Sequence, residues 1–377
     1  MSSDLKGAMN RPFSVYLDLV RFTAACLVYL WHSNMRLLTD GILPASDYGH
    51  SSVIVFFVLS GFVIAYVTDT KEKNWIDYGA SRLSRLGSVV IPTLLLTPLL
   101  DAAGRALYPA MYETFPWDRF ALRLAGSGLM MNESWFISIT FFSNVPYWSI
   151  AFEFWYYVLF ALVMFVPAPW RWPAVLAVCA LVGPKIVLLA PIWWAGVLLY
   201  RWRWPRSWSV PLSWFIAIGS TAAIFLTHAL GFYETTTELT KGALGEHWFT
   251  QLTFARFALG DYVLGLLVFL QFAAVRNVSG HLAPLLLRIE KPVRWLAGYT
   301  FTLYLLHQPL FLFWTAVLRR DPHGYGFWWF VTALTAVSVV AIGSVTEQRR
   351  QWLRDQLRGF FLRLQQCFEG SPGQARA

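Results

Sequence analysis

Apolar runs long enough to cross a bilayer follow one another from Phe13 to the middle 340s, and this recurrence constrains the chain more than any other feature. A hydrocarbon core of about 30 Å needs about 20 apolar residues per helix, and every peptide group inside it must be bonded within its own segment. The expected fold is therefore all-α, a polytopic integral membrane protein. Spans are expected at about 13–33, 50–68, 87–104, 146–166, 172–183, 185–200, 210–230, 253–273, 296–318 and 325–346, about ten transmembrane helices. Composition agrees, with 57% hydrophobic and 14% charged residues and 20 Trp in 377 positions, well outside the soluble norm. No stretch is left for a second, soluble domain. Residues 1–346 read as one transmembrane domain and 347–377 as a basic cytoplasmic tail.

The net charge of +9 does not point to nucleic acid, because Lys and Arg sit in short clusters between apolar runs and are not gathered on a polar domain. That distribution is a topology signal, and it places both termini on the cytoplasmic side, with the lipid bilayer as the partner of the basic clusters. The stretch 172–200 is short for two spans and is broken at Gly183, Pro184 and Lys185. Reading it as one helix would invert the charge balance of everything downstream, so two short helices are expected. Cys26, Cys179 and Cys367 have no metal-ligand spacing, and no metal site is expected. After Glu347, Trp352, Leu353, Leu357, Phe360 and Phe361 outline an amphipathic helix able to lie on the inner membrane surface.

Ionisable residues within spans need a reason to be there. In LDLVRFTAACLVYLWHS, Arg21 and His32 are eleven residues apart, so three helical turns place them on one face about 16 Å apart, with Asp18 close to the same face. A cation, a carboxylate one turn away and an imidazole near the outer end suit a reaction groove; a structural Asp18–Arg21 pair with an interfacial His32 is the bland alternative. In RLSRLGSVVIP, Arg82 and Arg85 precede an apolar run on the cytoplasmic side, where a polyanion such as the phosphates of coenzyme A can dock, or where basic residues simply anchor the helix. In YWSIAFEFWYYVLF, Ser149, Glu153 and Tyr156 at i, i+4 and i+7 form a polar stripe on an apolar helix, with Glu153 facing His32 or Arg21. His307 adds a second imidazole at mid-depth in FTLYLLHQPLF, and Glu347 closes the last span. His50, His228, His247, His281 and His323 read as loop or interface residues.

Taken in order, these strings resemble the acyltransferase-3 family: the Arg-x10-His spacing of Arg21 and His32, the Ser60-Gly61-Phe62 turn in FFVLSGFVIAY, and RLSRLGSVVIP, YWSIAFEFWYY and FTLYLLHQP in register over the membrane part. The resemblance implies a bacterial inner-membrane O-acyltransferase that moves an acyl group, acetyl first among the choices, from cytoplasmic acyl-CoA to a hydroxyl of a carbohydrate or glycan. It implies His32 as catalytic base, Arg21 as its partner, Arg82 and Arg85 as the acyl-CoA contacts, and Glu153 or Asp18 as the group holding the imidazole. Ser149, Tyr156 and His307 are the expected substrate contacts. Some members append a soluble esterase-like domain; only residues 347–377 follow the last span here, so none is expected. The rival reading is a transporter or flippase, which would show inverted repeats between the chain halves. None is evident beyond the short pair in 172–200.

Overall fold

The computed structural model describes residues 9–34, 38–39, 41–319 and 324–369; His323 lies outside them. The described chain is helical without a strand: α1 (Arg11–Ser33), α2 (Gly49–Lys71), α3 (Trp75–Leu107), α4 (Phe120–Gly128), α5 (Trp148–Phe165), α6 (Ala168–Val182), α7 (Pro184–Arg201), α8 (Val210–Ala229), α9 (Phe232–Gln251), α10 (Ala258–Val278), α11 (Ala283–Arg288), α12 (Glu290–Ala297), α13 (Thr300–Leu318), α14 (Tyr325–Val345) and α15 (Arg350–Glu369). Helix starts carry recognisable caps. The Asn10 side chain accepts from the Phe13 N–H at 2.8 Å and Asn74 accepts from Asp77 N–H at 2.8 Å, each satisfying an amide that the first turn would leave open.

Among the described residues, eight helical segments are long and apolar enough to cross a membrane. The two that fall short of the ten expected are α6, with 15 residues, and α7, with 18. They are separate helices, as expected, because Gly183 at φ +82° turns the chain in a conformation that costs a glycine little, and Pro184 starts the next helix. Short as it is, α7 is packed inside the bundle through Leu189, Ile192, Trp193 and Leu199. Two further expectations are corrected. The span expected at 87–104 is the second half of α3, whose 33 residues begin at Trp75; Arg82 and Arg85 therefore stand on a helix and not in a loop. Ser60, Gly61 and Phe62 form no turn but sit in the middle of α2. A Cβ on Gly61 would collide with the Trp193 carbonyl, and one on Gly196 with the Val58 carbonyl, so the two glycines let α2 and α7 cross backbone to backbone.

The centre of the bundle is α2 and α13, each about two-thirds buried along its span, while α8 lies at the periphery with 17% buried. At the end opposite Arg11, the segment between α4 and α5 folds back against α7. There Lys185 donates to Glu133 at 2.7 Å and to the Ile137 carbonyl at 2.6 Å, with both side chains enclosed. At the Arg11 end, α15 does not stand free. Phe361 packs against Trp75 with centroids 5.7 Å apart and the rings tilted at 56°, Arg358 donates to Asp77 at 2.8 Å, and Leu353 reaches the Gly87 region of α3.

Candidate active site

The helix-1 spacing has a consequence in three dimensions. Arg21 donates to Asp18 one turn below at 3.1 Å, and Asp18 takes a second cation, Arg294 of α12, at 2.8 Å. Arg294 also donates to Glu290 at 2.9 Å, which in turn accepts from Arg11 at 2.6 Å. Hydrogen bonds from Arg11 and Arg294 hold the Glu290 carboxyl down at about 2, so Glu290 stays ionised through all physiological pH and its pair with Arg11 ties α12 to α1.

Above it opens a cavity of about 420 Å³ between α1, α2, α3, α5, α13 and the start of α15. Its walls carry Asp18, Arg21, Arg85, Ser149, Glu153 and Glu347. A second cavity of about 330 Å³ shares Asp18, Arg21 and Arg85 with the first and adds Lys71, Glu72 and Arg82 toward the Arg11 end. Glu153 is held in place by Ser60, which donates at 2.9 Å, and by the Tyr157 phenol. Glu347 accepts from both the N–H and the hydroxyl of Thr302, at 3.0 and 2.8 Å. Arg82 is buried against Glu72 beside the Tyr78 ring, whereas Arg85 makes no ion pair among the described residues.

The far end of the larger cavity is closed by Tyr304 and Ser149, whose hydroxyls lie 2.6 Å apart. Directly behind Tyr304 stands His307, with ring centroids 6.4 Å apart, fully buried, and in contact with His32. Donor accounting fixes the protons of this pair. His307 Nδ1 lies 2.8 Å from the Tyr304 carbonyl and 3.0 Å from that of Leu303, and a carbonyl can only accept, so Nδ1 carries the hydrogen and Nε2 accepts. The group it accepts from is His32 Nδ1 at 3.2 Å, which also faces the Val28 carbonyl at 2.9 Å. In the neutral pair His32 thus keeps its hydrogen on Nδ1, leaving the Nε2 lone pair without a partner among the described residues.

The expected residues therefore fall into two groups. Asp18, Arg21, Arg82, Arg85, Ser149 and Glu153 share the cavities, while His32 and His307 form a separate pair beyond Tyr304. Neither Glu153 nor Asp18 touches His32; its imidazole is held by Val28 and His307. Tyr156 lies off the site, donating to the Ile186 carbonyl at 2.9 Å to pin α5 on α7. The helical turn explains the exchange: Tyr157 is four residues from Glu153 and lies about 40° from it, whereas Tyr156 at three residues lies about 60° to the other side. Two histidines read as interfacial have partners within the bundle: His50 meets Asp261 at 2.8 Å and His228 meets Ser51 at 2.7 Å. Ser60, Tyr157, Arg294 and Tyr304 were not expected at the site; i+4 spacing pointed to Tyr157, and nothing local pointed to the others. Among the described residues no cluster of three His, Cys, Asp or Glu is arranged to hold a metal ion.

Part of the chain is similar to the exopolysaccharide production protein ExoZ of Rhizobium meliloti (strain 1021), 29% identical over 134 residues, which are 34% of this chain and 38% of that protein. Another alignment, to the acyltransferase MdmB of Streptomyces mycarofaciens, is 27% identical over 155 residues, 38% of this chain and 37% of the relative. The chain thus aligns with well under half the length of either. No solved structure gives a match. The acyltransferase-3 family model, described as an acyltransferase domain, matches residues 14–346, nearly all of the membrane part, and the chain belongs to that family.

Proposed function

We propose that the protein is a membrane O-acyltransferase that takes an acyl group, acetyl in the simplest case, from cytoplasmic acyl-CoA and places it on a hydroxyl of a sugar or glycan. The observation that carries this reading is the alignment of parts: a cation-lined cavity at the basic end, a polar interior reaching Tyr304, and an imidazole with a free lone pair just beyond. The name of the exopolysaccharide relative supports a glycan acceptor, and the basic ends of the spans favour a cytoplasmic donor at the Arg11 end, with both termini on that side.

In this mechanism the donor's phosphates rest against the cations of the smaller cavity and its thioester arm lies along the larger one, past Arg21 and Glu153. Tyr304 and Ser149 part to join the cavity to the histidine pair. His32 Nε2 removes the proton from the acceptor hydroxyl as its oxygen attacks the thioester carbonyl. The carbon–sulfur bond breaks, and the departing thiolate recovers the proton from His32. Throughout, His307 Nε2 and the Val28 carbonyl accept from His32 Nδ1, so the ring keeps its orientation while its charge changes. His32 and His307 are thus the base and its positioning residue, with Arg21, Asp18 and Glu153 acting on the donor side.

The test is acyl transfer by purified protein in proteoliposomes, followed by mass spectrometry of host glycans and small metabolites. The expected result is a single ester mass increment that requires acyl-CoA and falls by at least about 100-fold in His32→Ala. A His32→Ala protein that inserts normally and keeps full transfer would sink the reading.

A further inference from the structure

The helix after the last membrane span lies beyond the stretch matched by the family, residues 14–346, yet it reaches into both cavities. Arg350 and Gln351 line the larger one, and Arg350, Gln351 and Arg354 line the smaller. On α15, Arg350, Arg354, Leu357 and Phe361 follow one another at i, i+4, i+7 and i+11, a single face of the helix. Its apolar half rests on the first turns of α3 through Phe361, while its basic half overlooks the cavity.

The charges gathered there are not balanced. Arg82 is neutralised by Glu72, Arg21 by Asp18, Arg294 by Asp18 and Glu290, and Arg358 by Asp77. Arg85, Arg350 and Arg354 make no ion pair among the described residues, and Arg82, Arg85 and Arg354 all lie near enough to repel Arg350. Arg21 is repelled by Arg85 and Arg350 as well. Cations outnumber the carboxylates that reach them, Glu347 attracting Arg350 and Arg21 and, with Glu153 and Asp18, Arg85, so an anion of several charges would relieve the repulsion that remains. The smaller cavity presents six cations, Arg21, Lys71, Arg82, Arg85, Arg350 and Arg354, against the carboxylates of Asp18 and Glu72.

From this we infer that α15 is part of the donor site: Arg350 and Arg354 bind the phosphate groups of the acyl-CoA nucleotide opposite Arg85, and the tail helix forms one wall of that site. The inference rests on the donor reading above and adds the wall that no span supplies. Two anchors fix that wall. Glu347 holds the end of α14 to Thr302, and Gln348 donates to the Gly298 carbonyl at 2.9 Å, so the first turn of α15 has little freedom to swing away.

Binding of coenzyme A and of 3′-phosphoadenosine 5′-phosphate to the full-length protein in detergent, by titration calorimetry, tests it without needing turnover. Arg354→Gln and the double change Arg350→Gln/Arg354→Gln are expected to weaken both ligands by about tenfold and a hundredfold, as lost charge-assisted phosphate contacts would. Arg354→Lys should recover part of the loss. With S-acetyl-N-acetylcysteamine, a donor lacking the nucleotide, Arg354→Gln, whose residue lines only the smaller cavity, should transfer acetyl at the wild-type rate. Variants that bind coenzyme A as tightly as the wild type would overturn the role of α15 and leave the donor reading standing. Equal losses with nucleotide and nucleotide-free donors would mark a folding defect and overturn it too. A wild-type protein that binds neither ligand would remove the donor reading itself and the inference with it.

Discussion

At the residue scale the histidine pair carries the sharpest consequences. His307 lines neither cavity, so in the proposed mechanism its effect on catalysis passes through His32. In His307→Ala, His32 keeps only the Val28 carbonyl as an acceptor and its ring loses its fixed orientation. Turnover should fall by about 10- to 100-fold, the loss typical of removing such a supporting partner, with the KM for acyl-CoA unchanged. His307→Gln retains an acceptor for His32 Nδ1 and should restore part of kcat, which separates positioning from simple packing. A different pH signature belongs to Glu290. Its folded value of about 2 lies below the unfolded carboxylate value of about 4.3, so the stability it supplies is complete above that unfolded value and disappears as pH falls toward 2. Thermal unfolding from pH 6 downward should show wild type losing its advantage over Glu290→Gln in that window, and parallel curves would contradict the Arg11–Glu290–Arg294 linkage.

At the scale of elements, the close crossing of α2 and α7 depends on Gly61 and Gly196. Gly196→Val puts a side chain where the Val58 carbonyl already sits and should cost about 1–3 kcal/mol, the range of overpacking in a filled core, read as a lowered unfolding temperature in detergent. The Lys185–Glu133 pair behaves oppositely. Lys185→Met strands an enclosed carboxylate and should destabilise by about 3–5 kcal/mol, while the double change with Glu133→Gln should recover most of that. These elements also show which parts of the structure were readable from the chain. Period and length located the spans, and eleven-residue spacing put Arg21 and His32 on one helix face. That face does not lead into one groove, because Arg21 looks toward α3 and α12 while His32, three turns on, meets α13. Contacts between distant segments carry no local signal: Arg294 of α12 reaching Asp18, and His307 reaching His32, depend on how helices are brought together. The tail was legible as an amphipathic helix, but its apolar stripe gives no sign of whether lipid or α3 covers it.

At the scale of the whole molecule, the proposed mechanism divides the interior into a donor half and an acceptor half with Tyr304 and Ser149 between them. The proposed donor half is built from the basic ends of α1, α2, α3 and α15. The proposed base, His32, belongs to the opposite side, where α1 ends and α13 passes mid-depth. In the proposed mechanism an acyl group handed across this boundary moves through the bilayer without either substrate having to cross it. The most direct measurement of that claim uses sealed proteoliposomes with the protein in known orientation, labelled acyl-CoA confined to one side and glycan acceptor to the other. The account predicts label on the acceptor only when acyl-CoA faces the Arg11 end, and none with His32→Ala. Label that appears equally with donor and acceptor on the same side, or that survives His32→Ala, would contradict it.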